Sequence, residues 1–204
     1  MAERTDVPVT ADRPDSQLRV QGTDHITVEG TDPGETIQFY RDILGMPLVL
    51  SQPNLDRSEL THLFFETGDG RLLTFFVTDE RDSASLSDPA PGHVHHLAFR
   101  IEGKRINEIK TALDDAGHSW SEYDRGAFHS LYTEDNNGLT IELVAEKFTI
   151  PDDRRSAVLA TAHQKRVADD AEFVTERHMR EALAELGIEA EQRDLNTAPA
   201  GRDV

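Results

Sequence analysis

The sequence predicts an α+β fold in which one strand, one helix and three further strands form a module that occurs twice and is followed by a helical extension. Three observations lead to it. The order of strand-like alternation and helical periodicity recurs between the first and second halves of the central region. The segments DHITV and DILGM in the first half correspond to HHLAF and DDAGH in the second. From about residue 150 the pattern changes to a charged stretch with helical spacing. A repeat of this size implies two modules that cannot close a core separately and pair to do so. The chain then divides into an arm over residues 1–20, a two-module domain over 21–148 with modules at about 22–80 and 92–147, and an extension with a polar tail over 149–204.

The arm is polar and rich in Pro and Asp, the composition of a mobile segment. DHITVEG alternates as a short strand. In TDPGETIQFYRDILGM, Asp32 can cap a helix, Pro33 suits its first position and Glu35 the capping-box position. Ile37, Tyr40 and Leu44 then mark one face, and Gly45 ends the helix. PLVLS, LTHLFFETG and RLLTFFVT read as three strands, the last two joined through Gly68-Asp69-Gly70. In the second module VHHLAFRI is the first strand, and Ile106, Ile109, Leu113 and Ala116 mark a helix that Gly117 stops. SWSEY, FHSLYTED and LTIELVA complete the module, with Asn136-Asn137-Gly138 turning between the last two. Beyond Ile150 two charged helices end near Gly187, with His163 and His178 expected on their surfaces. Val158, Leu159, Leu183 and Leu186 on these helices need apolar cover, from their own sheet or from a second copy in a homodimer.

Against 21 basic residues stand 39 acidic ones, a formal net charge of −18, and only Lys104, Lys110, Lys147 and Lys165 are lysines. Such a surface repels phosphate backbones and anionic membranes, which argues against nucleic-acid or membrane partners. The acidic residues are spread along the chain, a solvated surface suited to high salt, so a halophilic source is expected. Cysteine is absent, so any metal must be held by His, Asp or Glu. No apolar run approaches the length of a bilayer span, and the polar start is not a signal peptide, which together predict a soluble, cytoplasmic protein.

HVHHLAF, residues 93–99, contains three histidines. Aligning the modules places His25 opposite His96, because a large aliphatic and a small residue follow each. Strand parity then turns His95 the other way with Leu97 and leaves His93 ahead of the strand. Glu142 stands in the middle of the otherwise apolar LTIELVA, where an unpaired carboxylate is expensive to bury. The plainer reading has Glu142 reaching solvent from an edge strand and both histidines making ordinary hydrogen bonds in the core. Taken together, two histidines at equivalent places in a repeat plus a carboxylate at a strand centre suit a divalent metal with positions left open for substrate or dioxygen.

The stretches DHITV, FYRDILGM, HHLAF and HSLYTEDNNGLTIELV resemble the vicinal oxygen chelate superfamily, which includes extradiol ring-cleaving dioxygenases, glyoxalase I, fosfomycin-resistance transferases and bleomycin-resistance proteins. The resemblance covers roughly residues 22–146 and implies paired βαβββ modules whose cupped mixed sheets surround one metal site. It carries the superfamily's metal ligands onto His25, His96 and Glu142. Glyoxalase-like isomerases usually add a glutamate on the last strand of the first module, and here that position falls on Phe75 or Phe76. Three ligands leave room for a bidentate catecholate and dioxygen, so the resemblance is closest to ring-cleaving extradiol dioxygenases using Fe(II) or Mn(II) on a small, aromatic substrate. It also gives Tyr132 of FHSLY a pocket role, hydrogen-bonding substrate oxygens; packing in the core is the equally open alternative. His129, of opposite parity, faces away. The pocket histidine expected slightly earlier is not matched, and Tyr123, Asp124 and Arg125 stand there instead. Phe65, Phe75, Phe76 and Phe99 are candidates for a dry wall. The alternatives are a glyoxalase-like lyase or isomerase, or a fosfomycin-resistance-like thiol transferase, with the same ligands and Zn(II) or Ni(II) also suitable; a non-catalytic small-molecule binder is the third.

Overall fold

A computed structural model describes residues 8–82, 90–192 and 195; the start of the arm, part of the segment between the modules and most of the tail lie outside these. The first module contains β1 (His25–Glu29), a helix, β2 (Leu48–Pro53), β3 (Thr61–Glu66) and β4 (Leu72–Val77). The second contains β5 (Leu97–Ile101), α2 (Ile106–Asp115), β6 (Trp120–Asp124), β7 (Phe128–Glu134) and β8 (Thr140–Glu146). Each forms one four-stranded mixed sheet of the same topology, β1-β4-β3-β2 and β5-β8-β7-β6. The first strand lies parallel to the last, and the other pairs are antiparallel. This is the predicted α+β pair of βαβββ modules.

Local chemistry sets the boundaries. The first helix, α1 (Pro33–Ile37), starts where the Asp32 carboxylate accepts from the backbone N–H of Glu35 at 2.9 Å. It then widens into π-helical turns over Gln38–Ile43, which periodicity alone does not predict. Gly45 ends it at φ 75°, a left-handed conformation that costs a glycine little. The widened segment carries Phe39 and Tyr40, both fully buried, into the space between the sheets.

One core spans both modules: Phe39, Tyr40, Phe65 and Phe75 of the first pack with Leu131, Ile141 and Leu143 of the second. Polar contacts fasten the pairing. The Tyr40 hydroxyl donates to Asp135 at 2.8 Å, and the Asn137 side-chain oxygen accepts from the Thr31 backbone N–H at 2.7 Å. The NNG turn of the second module is thereby seated on the helix start of the first. Burial and the neighbouring Asp135 carboxylate push the Tyr40 hydroxyl well above the ordinary tyrosine range.

The extension folds as α3 (Arg155–Ala168) and α4 (Glu176–Glu185). Val158 and Leu183 are buried among Ala127, Phe148 and Met179 of the same chain, with Leu186 packed against that cluster. Their cover therefore comes from the second module, and Leu159 alone of the four stays exposed. His178 is not on the surface as expected. It is buried, bonded through Nδ1 to the Thr175 backbone N–H at 3.0 Å and lying 3.1 Å from Asp169, so it caps α4 from inside. Among the described residues, no helix is long and apolar enough to cross a membrane.

Candidate metal centre

Strand alternation gives each sheet a core face and an open face. On β8, Ile141, Leu143 and Ala145 are buried in the core, so Glu142 and Val144 project from the other side. Register places Tyr132 directly opposite Glu142 on β7, and Ala98 opposite it on β5. β8 is an interior strand, so Glu142 is not at a sheet edge.

Glu142 is held from two sides. Its Oε2 lies 2.9 Å from His96 Nε2, and its Oε1 accepts from the Tyr132 hydroxyl at 2.7 Å. Burial, then the Glu142 carboxylate, raise the Tyr132 hydroxyl above its ordinary value, against the opposing pull of Arg125. Tyr132 is thus a neutral donor at neutral pH. Tyr123 packs edge-on against Tyr132 with ring centroids 5.8 Å apart.

His96 precedes the first hydrogen-bonded residue of β5, Leu97. Strand parity therefore does not govern His95, which turns to the same side, its Nδ1 2.9 Å from His96 Nδ1. The other ring nitrogen of His96 is the one that meets Glu142.

His25 lies elsewhere on the open side. It shares a face of the first sheet with Thr27, whose hydroxyl accepts from Thr74 at 2.8 Å. Its Nδ1 is 2.6 Å from Asp24, and half of its side chain is exposed. On that face His62 lies between Phe64 and Phe76, tilted over the first and edge-on to the second, with ring centroids 3.9 and 4.5 Å away. Burial and then the charge of His25 lower the His62 pKa. Among the described residues, no three His, Cys, Asp or Glu side chains gather as a metal-binding group. The structure brings together His96, Glu142 and Tyr132, and leaves His25 apart.

The expected dry wall is mostly elsewhere, because Phe65 and Phe75 are fully buried on the core side and Phe99 packs against the same core. Phe76 alone of the four looks out from the open face beside His62. His129 has the predicted opposite parity and is buried against Glu122 at 2.6 Å. Where the modules meet, a cleft of roughly 460 Å³ is lined by Ile26, Arg71, Leu72, His96, Ala98 and Arg100. A second cleft, between the end of the first helix and α2, is lined by Phe99 but by none of the candidate ligands or Tyr132.

The His96–Glu142 pair fits a metal. Donors about 2.1 Å from one ion and at right angles to each other lie ~3 Å apart, close to the spacing seen here. Both candidate histidines have Nδ1 engaged, by Asp24 and by His95, so that Nε2 is the nitrogen turned toward a prospective ligand site, and in His96 that nitrogen meets Glu142.

Comparison with known proteins agrees with the fold. The profile described as "Glyoxalase/Bleomycin resistance protein/Dioxygenase superfamily" matches residues 22–143. The chain belongs to that superfamily. It is 25% identical over 132 residues to "Putative ring-cleaving dioxygenase MhqE" of Bacillus subtilis (strain 168), covering 63% of this chain and 43% of that protein. It is 24% identical over 151 residues to "Putative ring-cleaving dioxygenase MhqA" of the same organism, covering 67% and 47%. A crystal structure of a "putative dioxygenase" from B. subtilis subsp. subtilis str. 168 superposes with a TM-score of 0.55 at 24% identity, over 61% of this chain and 40% of that one. The chain thus spans less than half the length of these relatives.

Proposed function

We propose that the protein is a metal-dependent dioxygenase of the extradiol type, with His25, His96 and Glu142 as ligands to Fe(II) or Mn(II) and a catecholic or related vicinal-oxygen compound as substrate. The observation that carries this reading is the matched presentation of the ligands: each histidine has its Nδ1 tied, and Glu142 meets Nε2 of His96. The names of the relatives support the ring-cleaving class over the lyase and transferase alternatives. The metal, once bound, supplies the position at which substrate oxygens and dioxygen are brought together. The chain's own contribution is orientation and proton handling. His95 holds the ring plane of His96 through its Nδ1. Tyr132, a neutral donor, orients Glu142 and can shift its hydrogen bond to a substrate oxygen.

Within one chain His25 does not join the other two ligands. The reading therefore includes a homodimer in which the open face of one copy's first sheet covers the open face of the other's second sheet, so that each site draws His25 from its neighbour.

The test is oxygen uptake by protein purified anaerobically and loaded with Fe(II), supplied with catechol and 4-methylcatechol. Uptake with formation of a coloured ring-opened product is expected, and at saturating Fe(II) Tyr132→Phe should lower kcat about 10- to 100-fold. Full metal loading with no uptake on a broad panel of catechols would overturn the dioxygenase reading in favour of a lyase or transferase.

A further inference from the structure

We propose that Arg125 is a specificity-determining residue of this site, and that the molecule bound there carries a carboxylate or another small oxyanion beside its metal-chelating oxygens. The inference rests on the site of the preceding section and adds the substrate's charge.

Arg125 lies in the turn between β6 and β7, with its guanidinium carbon 4.6 Å from the ring centroid of Tyr123 and 5.7 Å from that of Tyr132. It therefore sits next to the hydroxyl that binds Glu142. The guanidinium lies against the Tyr123 ring and hydrogen-bonds the Tyr132 side chain, and because the residue is exposed its remaining N–H groups can meet an anion.

Among the described residues no carboxylate pairs with Arg125, a state it shares with Arg13, Arg19, Arg154 and Arg166, and of these it is the one placed against Tyr123 and Tyr132. All four lysines are ion-paired. So are Arg41, Arg57, Arg71, Arg81, Arg100 and Arg155. The carboxylates around the turn are all committed elsewhere. Asp124, its neighbour in sequence, binds Lys147 Nζ at 2.7 and 2.8 Å and accepts from the Gly126 N–H at 2.8 Å. On the core side Glu122 is taken by Lys110 and His129. Glu142 is taken by His96 and Tyr132, and Glu146 by Arg155. In a protein of net charge −18 an anionic ligand is repelled at long range. A guanidinium beside the site with no carboxylate to neutralise it supplies the local compensation that such a ligand needs.

The extension holds this turn in place. Gly126 has φ +78°, and a Cβ there would lie 3.2 Å from the Val174 carbonyl oxygen, so the turn packs directly on the segment leading into α4. Lys147 spans from Asp124 to Glu176 of α4, the latter at 3.7 Å. The C-terminal helices, which lie beyond the matched residues 22–143, thereby position Arg125.

The test compares ligand affinities by calorimetry on full-length, Mn(II)-loaded protein under nitrogen. The probes are 3,4-dihydroxybenzoate and neutral 4-methylcatechol, with benzoate and methylphosphonate as anions that lack the catechol. Wild type should bind the carboxylated catechol about 10- to 100-fold more tightly than the neutral one, the range of a charge-assisted hydrogen-bonded contact. In Arg125→Gln that preference should vanish while metal content and the affinity for 4-methylcatechol hold. Arg125→Lys, which keeps the charge but loses the fork, should retain an intermediate preference and carries the test if the Gln variant does not fold. A wild type with no preference for the anion, or a preference that survives in Arg125→Gln, overturns the assignment. Weak binding of both catechols by metal-loaded protein counts against the catechol reading instead, and Arg125 is then judged by whether benzoate or methylphosphonate binding is lost in the variant.

Discussion

Asp24 and His95 perform the same task for two different histidines. Each engages Nδ1 and leaves Nε2 as the nitrogen for the proposed metal, Asp24 at 2.6 Å from His25 and His95 at 2.9 Å from His96. Partners of this kind fix tautomer and ring plane, and their loss typically costs 10- to 100-fold in metal affinity. Asp24→Ala should therefore weaken Mn(II) binding by about that factor without lowering the melting temperature, because the Asp24 side chain is almost fully exposed and holds nothing else in the fold. Equilibrium dialysis against buffered Mn(II) measures it, and unchanged affinity would remove His25 from the ligand set. At this scale Glu142 was legible as a carboxylate stranded in an apolar run, whereas Tyr132 was reached only through the family resemblance and its pairing with Glu142 only through the strand register. The turn of His95 toward His96 was not, since it depends on β5 starting at Leu97, and hydrogen bonding to a neighbouring strand decides where a strand begins.

Between elements, the seat of the NNG turn against the first helix joins the modules, and Tyr40 is its buried anchor. The Tyr40 hydroxyl titrates near pH 10.0 when unfolded and well above that in the fold. Folding thus favours the protonated form, so the associated stability is complete below pH ~10 and is lost as pH rises beyond it toward the folded value. Urea melts should be flat from about pH 7 to 9 and fall above ~10. Tyr40→Phe should cost about 2 kcal/mol at neutral pH, the size of a hydrogen bond to a charged group, and should flatten the alkaline fall. An alkaline limb of equal slope in the variant would show that another group governs it. The helices, strands and turns of both modules were readable in advance because glycine turns, caps and alternation are local signals, as Asp32, Gly45 and Gly117 illustrate. The π-helical widening after Gln38 and the burial of His178 were not, because both answer to packing between segments distant in sequence.

For the molecule as a whole, the net charge of −18 is a destabilising self-repulsion that salt relieves. The melting temperature should rise by several degrees between about 0.1 and 2 M KCl, beyond what screening of isolated surface pairs gives. A flat or falling curve would contradict the halophilic reading. The whole-molecule question that no local pattern answers is where His25 finds its partners, since the repeat relates it to His96 while the single chain keeps the two apart.

The most direct test of the central claim is metal stoichiometry by elemental analysis of protein purified anaerobically in high salt, for wild type, His25→Ala, Glu142→Ala and an equimolar refolded mixture of the two variants. The account predicts close to one Fe(II) or Mn(II) per chain in wild type, little in either variant alone, and partial recovery in the mixture, where a mixed dimer rebuilds an intact site. Metal retained in full by His25→Ala or by Glu142→Ala, or a metal-free wild type under Fe(II) and Mn(II) loading, would contradict it.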